Sequence, residues 1–231
     1  MRFVTVAGPP SSGKTAVILQ TLLALRQRAI AAGVVKFDCL HTDDDALYAQ
    51  RGIVVRKGLS GGLCPDHYFV SNVEAVVDWG RQQQLQLLVS ESAGLCNRCA
   101  PHIHGVLAVC VIDNLSGIGT PQKIGPMLKT ADVVVITKGD IVSQAEREVF
   151  AARVRRVNPA AKILHVNGLT GQGAFELSTL WQQAPDDVAL ADQTLRYPMP
   201  SALCSYCLGE TRIGKAYQLG NVRDLHLKED A

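Results

Sequence analysis

Eight residues near the start of the chain constrain its fold more than any other feature. Gly8-Pro9-Pro10-Ser11-Ser12-Gly13-Lys14-Thr15 fits G-x-x-x-x-G-K-[ST], follows a β-branched apolar run at 4–7, and opens a stretch at 14–31 with helix periodicity. That strand-to-helix setting is the one in which the motif has a mechanism. Its glycines permit a tight loop whose N–H groups turn inward, and the helix N-terminus adds partial positive charge. Lys14 then reaches the β/γ-phosphates of a nucleotide, and the Thr15 hydroxyl is placed for Mg²⁺. The candidate phosphate-binding residues are therefore Gly8, Ser11, Ser12, Gly13, Lys14, Thr15 and Ala16.

The alternation continues. Residues 34–38, 85–91, 106–113, 133–137 and 163–167 read as buried strands, apolar on both faces as a sheet covered by helices requires. Residues 71–83 and 143–157 read as helices, each opened by a capping box, Ser71 with Glu74 and Ser143 with Glu146. Thr120 before Pro121 marks a further helix start. The pattern predicts an α/β fold: a doubly wound, mostly parallel sheet flanked by helices, with right-handed crossovers. Beyond Trp181 it weakens. The expected organisation is a P-loop domain over 1–184 and a short C-terminal extension over 185–231, too small to fold alone, which docks on the main domain or is organised by a metal.

Composition narrows the partners. A formal net charge of +2 over 231 residues lacks the electrostatic footprint of a phosphate-backbone binder, so no nucleic-acid partner is expected. The N-terminal apolar run is shorter than a signal-peptide core, and the longest one elsewhere, 106–112, is well below the roughly 18 residues of a membrane span. The chain is read as cytoplasmic, with no membrane partner. Its 7 cysteines are odd in number, and four of them form two C-x-x-C pairs, Cys96 with Cys99 and Cys204 with Cys207. That is the signature of metal or redox chemistry in a reducing compartment rather than of a secreted disulfide framework.

Two carboxylates end predicted strands, Asp38 and Glu91. The carboxyl edge is where a doubly wound sheet gathers its ligand, so both are candidates for the Mg²⁺ shell beside Thr15, although either could instead cap a loop. Thr137-Lys138-Gly139-Asp140 follows another strand and has the form [NT]-K-x-D. An aspartate there accepts two hydrogen bonds from guanine N1 and N2, an arrangement adenine cannot make, while Lys138 packs along the base; this favours GTP over ATP.

With these residues in place, the chain resembles the nickel-insertion GTPases of the HypB/UreG type, the hydrogenase and urease maturation factors of the dimerising (SIMIBI) class of P-loop GTPases. The resemblance runs over residues 4–181. It is carried by the P-loop, by the aspartate-led segment Phe37-Asp38-Cys39-Leu40-His41-Thr42-Asp43-Asp44-Asp45-Ala46, and by Gly61-Gly62-Leu63-Cys64-Pro65-Asp66-His67, which is similar to the urease factor's Gly-Gly-Cys-Pro-His. Glu91-Ser92-Ala93-Gly94, the 111–113 and 123–126 stretches, and Thr170-Gly171-Gln172-Gly173 match further family segments. The resemblance implies Asp38 and Glu91 in the magnesium shell, Asp38 also orienting the attacking water, and Lys14 with both carboxylates as the catalytic set. It places Asn167 in the loop flanking the base, and implies a homodimer whose metal binding is coupled to GTP hydrolysis. The chain departs from the family in the one-residue insertion between Cys64 and His67, in Thr137 where asparagine is usual, and in Cys204 and Cys207, which no family segment matches.

The cysteines leave several readings open. Two thiolates in C-x-x-C converge on one soft ion, with Zn–S near roughly 2.3 Å, or on an Fe–S cluster; a redox dithiol and simple packing are the alternatives for each pair. Cys110, inside an apolar strand, reads as core, Cys39 as either, and the flanking His102 and His104 as solvated histidines or as ligands. Cys64, His67, Cys96, Cys99, Cys204 and Cys207 are thus the candidate soft-metal residues, for nickel, zinc or an Fe–S cluster. Three functions compete: a GTP-hydrolysing metallochaperone serving a client metalloenzyme or its accessory protein, a dimeric cluster-bearing NTPase gating electron transfer or cluster delivery, and a nucleotide-dependent regulatory module with structural zinc.

Overall fold

The computed structural model describes residues 1–186, 190, 192–198, 210–217 and 223–227. Seven strands, β1 (Arg2–Ala7), β2 (Ala32–Asp38), β3 (Val54–Leu59), β4 (Leu87–Glu91), β5 (Leu107–Asp113), β6 (Val133–Thr137) and β7 (Lys162–His165), form one sheet in the order β3-β2-β4-β1-β5-β6-β7. Every pairing is parallel. The connections are α1 (Lys14–Gln27), α2 (Asp44–Gln50), α3 (Pro65–Gln82), two single turns α4 (Thr120–Lys123) and α5 (Pro126–Lys129), and α6 (Gln144–Val157); α7 (Ala174–Gln182) follows β7.

Strand periodicity divides the core between the two faces. Val4 and Val6, Val34, Val89, Val109 and Val111, and Val133 and Val135 point to one side, where α1 and α7 bring Val17, Ile18, Leu25, Leu177 and Trp181. The alternate residues, Phe3, Val35, Phe37 and Leu88, meet α3, and Cys110, Ile112, Val134 and Ile136 meet α5 and α6. Lys36, Asp38 and Glu91 share the parity of Val34 and Val89, so they stand on the α1 face, at the edge where α1 begins.

Three expectations are corrected. Helix α3 begins at Pro65, not Ser71: proline in the first turn gives up no helical hydrogen bond, and Ser71, well inside the helix, donates back to His67 O at 2.9 Å and Tyr68 O at 3.1 Å, so no capping box forms there. The box at Ser143 and Glu146 is present in full. An edge strand, β3, and the short helix α2 before it were not expected. β3 carries Arg56 and Lys57 and is half exposed, so it shows neither a continuous apolar run nor a clean alternation.

The described residues beyond 185 contact the domain at named points. Leu195 bridges Ile103 and its N–H donates to Thr211 O, while Thr194 bridges Arg212. The Arg196 guanidinium pairs with Asp132 at 2.7 Å and donates to Val106 O and Thr130 O. Asn72 on α3 donates to Arg223 O and accepts from Leu225 N–H. No helix among the described residues is long and apolar enough to cross a membrane.

Candidate nucleotide and metal site

The loop between β1 and α1 depends on two glycines with backbone conformations closed to other residues. Gly8 has φ +154°, and a Cβ there would come within 2.1 Å of Val111 O on β5; Gly13 enters α1 with φ +90°. Three side chains hold the loop's carbonyls. Lys14 Nζ donates to Gly8 O and Pro9 O, both at 2.9 Å, Lys138 Nζ donates to Ser11 O at 2.7 Å, and Thr137 Oγ1 donates to Ser12 O at 2.6 Å. Thr137 thus tethers the end of the phosphate loop with its hydroxyl.

Beside the loop lies a buried polar network. Glu91, with no solvent exposure, accepts from Thr15 Oγ1 at 2.7 Å and Lys36 Nζ at 2.9 Å on one oxygen, and from Tyr48 OH at 2.7 Å on the other. Asp44 Oδ2 pairs with the same Lys36 at 2.8 Å and accepts from Thr15 at 3.1 Å. Burial pulls Lys14 down to about 8, against the opposing pull of Glu91. Lys36 is raised, because the two carboxylates outweigh the cost of its burial. Asp44 is held below the usual carboxylate range despite its partial burial, by its bonds to Lys36, Thr15 and Thr42.

Lys14, Thr15, Lys36, Asp38, Asp44 and Glu91 line one open cavity of about 630 Å³ that runs from the phosphate loop to Gly168 and Leu169. Ser11, Gly13 and Ala16 line it as well. Asp38 faces it from the end of β2 and accepts Cys39 N–H at 2.8 Å. Asp140 and Asn167 meet in a separate small cavity of about 120 Å³, with Gly139, Arg147 and Gln172. Asn167 Oδ1 also accepts from Leu169 and Thr170 N–H, which shapes the loop between the two cavities.

The loop after β4 joins this network to the cysteines. Gly94, at φ +74°, passes so close to the phosphate loop that a Cβ would come within 1.7 Å of Gly8 O. Ser92 Oγ donates to Asp66 Oδ1 at 3.1 Å, and Cys99 Sγ donates to Asp66 Oδ2 at 3.4 Å. Burial raises both the Asp66 carboxyl and the Cys99 thiol; Asp66, Cys96 and Cys64 all lie near enough to raise Cys99 further. Cys64 occupies the N-cap position of α3 with no side-chain capping bond, and Asp66 and His67 lie in the helix's first turn, both buried. Among the described residues no group of three His, Cys, Asp or Glu is arranged to hold an ion. Cys204 and Cys207 lie outside the described residues.

Two histidine and cysteine readings resolve. His102 is fully buried and shares a hydrogen bond with Thr5 Oγ1 at 2.9 Å; burial pulls it down to about 4, so it is a neutral core residue rather than a solvated one. Cys110 is core, its thiol pushed up to about 12 by burial. Sequence reasoning missed Lys36, Tyr48 and Asp66, and assigned no role to Asp44. A usable signal existed for Lys36 alone: it lies two residues before Asp38, on the same strand face.

Known proteins place this geometry. The profile of the CobW/HypB/UreG nucleotide-binding domain matches residues 2–165. An uncharacterised protein of Methanocaldococcus jannaschii is 48% identical over 223 residues, 96% of this chain and 95% of its own. The hydrogenase maturation factor HypB of Archaeoglobus fulgidus superposes with a TM-score of 0.60 at 20% identity, over 79% of this chain and 89% of that one. HypB of Helicobacter pylori, solved in complex with nickel, gives 0.58 at 15% identity, over 82% and 91%. At these identities the two structures speak to the fold alone.

Proposed function

The chain belongs to the CobW/HypB/UreG nucleotide-binding family, and on that footing we propose that it is a GTP-hydrolysing maturation factor that couples nucleotide state to delivery of nickel or another soft metal to a metalloenzyme. One chain of contacts carries the reading. Thr15 bonds Glu91; the next residue, Ser92, bonds Asp66; and Asp66 bonds Cys99. A group that displaces Thr15 or Glu91 on the nucleotide side moves the loop on which the candidate thiols sit, an order of events typical of nucleotide switches.

The oxygens of Thr15, Asp38, Asp44 and Glu91 are the hard donors that suit Mg²⁺, and these residues would hold it. Bound there, Mg²⁺ would supply charge neutralisation for the nucleotide's phosphates. The rest falls to the chain. The phosphate-loop N–H groups and Lys14 bind the phosphates, Asp38 orients the attacking water, Glu91 fixes the Thr15 hydroxyl, and Asp140 reads guanine with Lys138 along the base. Cys64, Cys96 and Cys99 would take the soft ion, with His67, Cys204 and Cys207 as further candidates and a second copy of the chain contributing the same set. The nickel in the H. pylori protein makes Ni²⁺ the first ion to test.

Nucleotide titration followed by phosphate release tests the reading. The expected result is Mg²⁺-dependent binding of GTP over ATP, with slow phosphate release, and a loss of the GTP preference by roughly tenfold or more in Asp140→Ala, since a site built to pair donors discriminates strongly. ATP preference in the unaltered protein would remove the guanine assignment. Anaerobic isolation with iron and sulfide in stoichiometric amounts would replace the chaperone reading with the cluster-bearing one.

A further inference from the structure

Lys36 is the one buried cation in the pocket that neither the motif nor the chemistry of phosphate transfer requires. Parallel pairing of β2 with β4 sets it opposite Glu91 in register, which fixes the contact through the backbone rather than through a mobile side chain. Its Nζ is 2.9 Å from Glu91 Oε1 and 2.8 Å from Asp44 Oδ2. Thr15 Oγ1 approaches the same two oxygens at 2.7 and 3.1 Å. The lysine and the hydroxyl expected to meet Mg²⁺ therefore bracket one pair of carboxylate oxygens from two sides.

Charge balance gives this arrangement a consequence. Three carboxylates face the cavity, Asp38, Asp44 and Glu91, against the ammonium groups of Lys14 and Lys36 and the exposed guanidinium of Arg51. With Lys36 in place the charged side chains lining the cavity sum to zero and offer a divalent ion no net negative charge; without it, one. Lys36 is 5% exposed and Glu91 not at all, so solvent screens the pair little. Mg²⁺ dehydrates reluctantly and is commonly held by one or two carboxylates together with substrate phosphates, not by protein alone.

We infer that Lys36 is a positioning residue that fixes the Asp44 and Glu91 carboxylates while keeping free divalent ions out, so that the cation enters only with the nucleotide that brings the missing negative charge. This rests on the reading of the cavity as the Mg²⁺–nucleotide site. In a protein proposed to handle a soft divalent ion elsewhere, such a device separates the two metals by demanding phosphate at one site.

Mn²⁺ binding followed by electron paramagnetic resonance tests it, counting only the Mn²⁺ that excess Mg²⁺ displaces. The unaltered protein should bind Mn²⁺ with GTP present and show no binding below millimolar concentration without it. Lys36→Gln should bind Mn²⁺ without nucleotide at least about tenfold more tightly than the unaltered protein, the size expected for removing a nearby, poorly screened charge. Lys36→Arg, which keeps the charge, should still exclude the free ion. A purely structural lysine would lower stability in both variants and leave nucleotide-free Mn²⁺ binding unchanged, which overturns the inference. Tight Mn²⁺ binding by the unaltered protein without nucleotide overturns it as well, without any variant having to fold. Failure of the unaltered protein to bind GTP with Mn²⁺ present would overturn the nucleotide reading itself, and the inference with it.

Discussion

Lys14 lies at the bottom of the cavity, 5% exposed, with its ammonium on two loop carbonyls. Burial lowers it to about 8, well below a free lysine, so it begins to lose its charge within the accessible pH range. Bound phosphates favour the charged form and raise the group again. Affinity for GTP should therefore hold steady below pH 8 and fall above it, by up to about tenfold per pH unit until the bound form also titrates. Lys14→Arg keeps its charge throughout and should flatten the decline; an affinity in the unaltered protein that stays level from pH 7 to 10 would show that Lys14 is not so depressed. At this scale the sequence was readable where function is local. Lys14, Thr15, Lys138 and Asp140 belong to short contiguous motifs. Lys36 comes from β2 and Asp44 and Tyr48 from α2, and they join the Glu91 network only through strand register and the packing of α2, so their residue types alone carried no signal.

At the scale of elements, the loop leaving β4 is the part that links the two candidate sites, and Gly94 is where it is most constrained. Its φ of +74° and the 1.7 Å approach that a Cβ would make to Gly8 O leave no room for a side chain. Gly94→Ala should force the β4 loop off the phosphate loop, lower stability by about 2 kcal/mol or more, and weaken GTP binding, all measurable by denaturation and titration. Unchanged stability with unchanged affinity would mean that the two loops are not held against each other. Elements were readable to the extent that their patterns were regular. The central strands are apolar on both faces and α6 has its capping box, so they lie where the pattern puts them. β3 escaped notice because an edge strand exposes one side and mixes Arg56 and Lys57 into its run. The start of α3 was misplaced because Ser71 and Glu74 imitate a cap, whereas Pro65 opens the helix in a stretch that otherwise reads as a metal motif.

Over the whole molecule, β1 and β4 deliver the phosphate loop and Glu91 to one edge of the sheet, and the chain following Glu91 runs directly to Cys96 and Cys99. The topology was legible because a parallel sheet with helical crossovers admits few arrangements. The contact of Cys99 with Asp66 was not, because it depends on the docking of the first turn of α3 against that loop. The central claim is that these two places are coupled. Coupling between sites is typically a 5- to 150-fold change in affinity. The direct test is an anaerobic Ni²⁺ titration of the protein saturated with Mg²⁺ and either a non-hydrolysable GTP analogue or GDP, repeated with Cys99→Ser. The account predicts Ni²⁺ affinities that differ at least about tenfold between the two nucleotide states, with the difference lost in the variant; equal affinities in both states would contradict it.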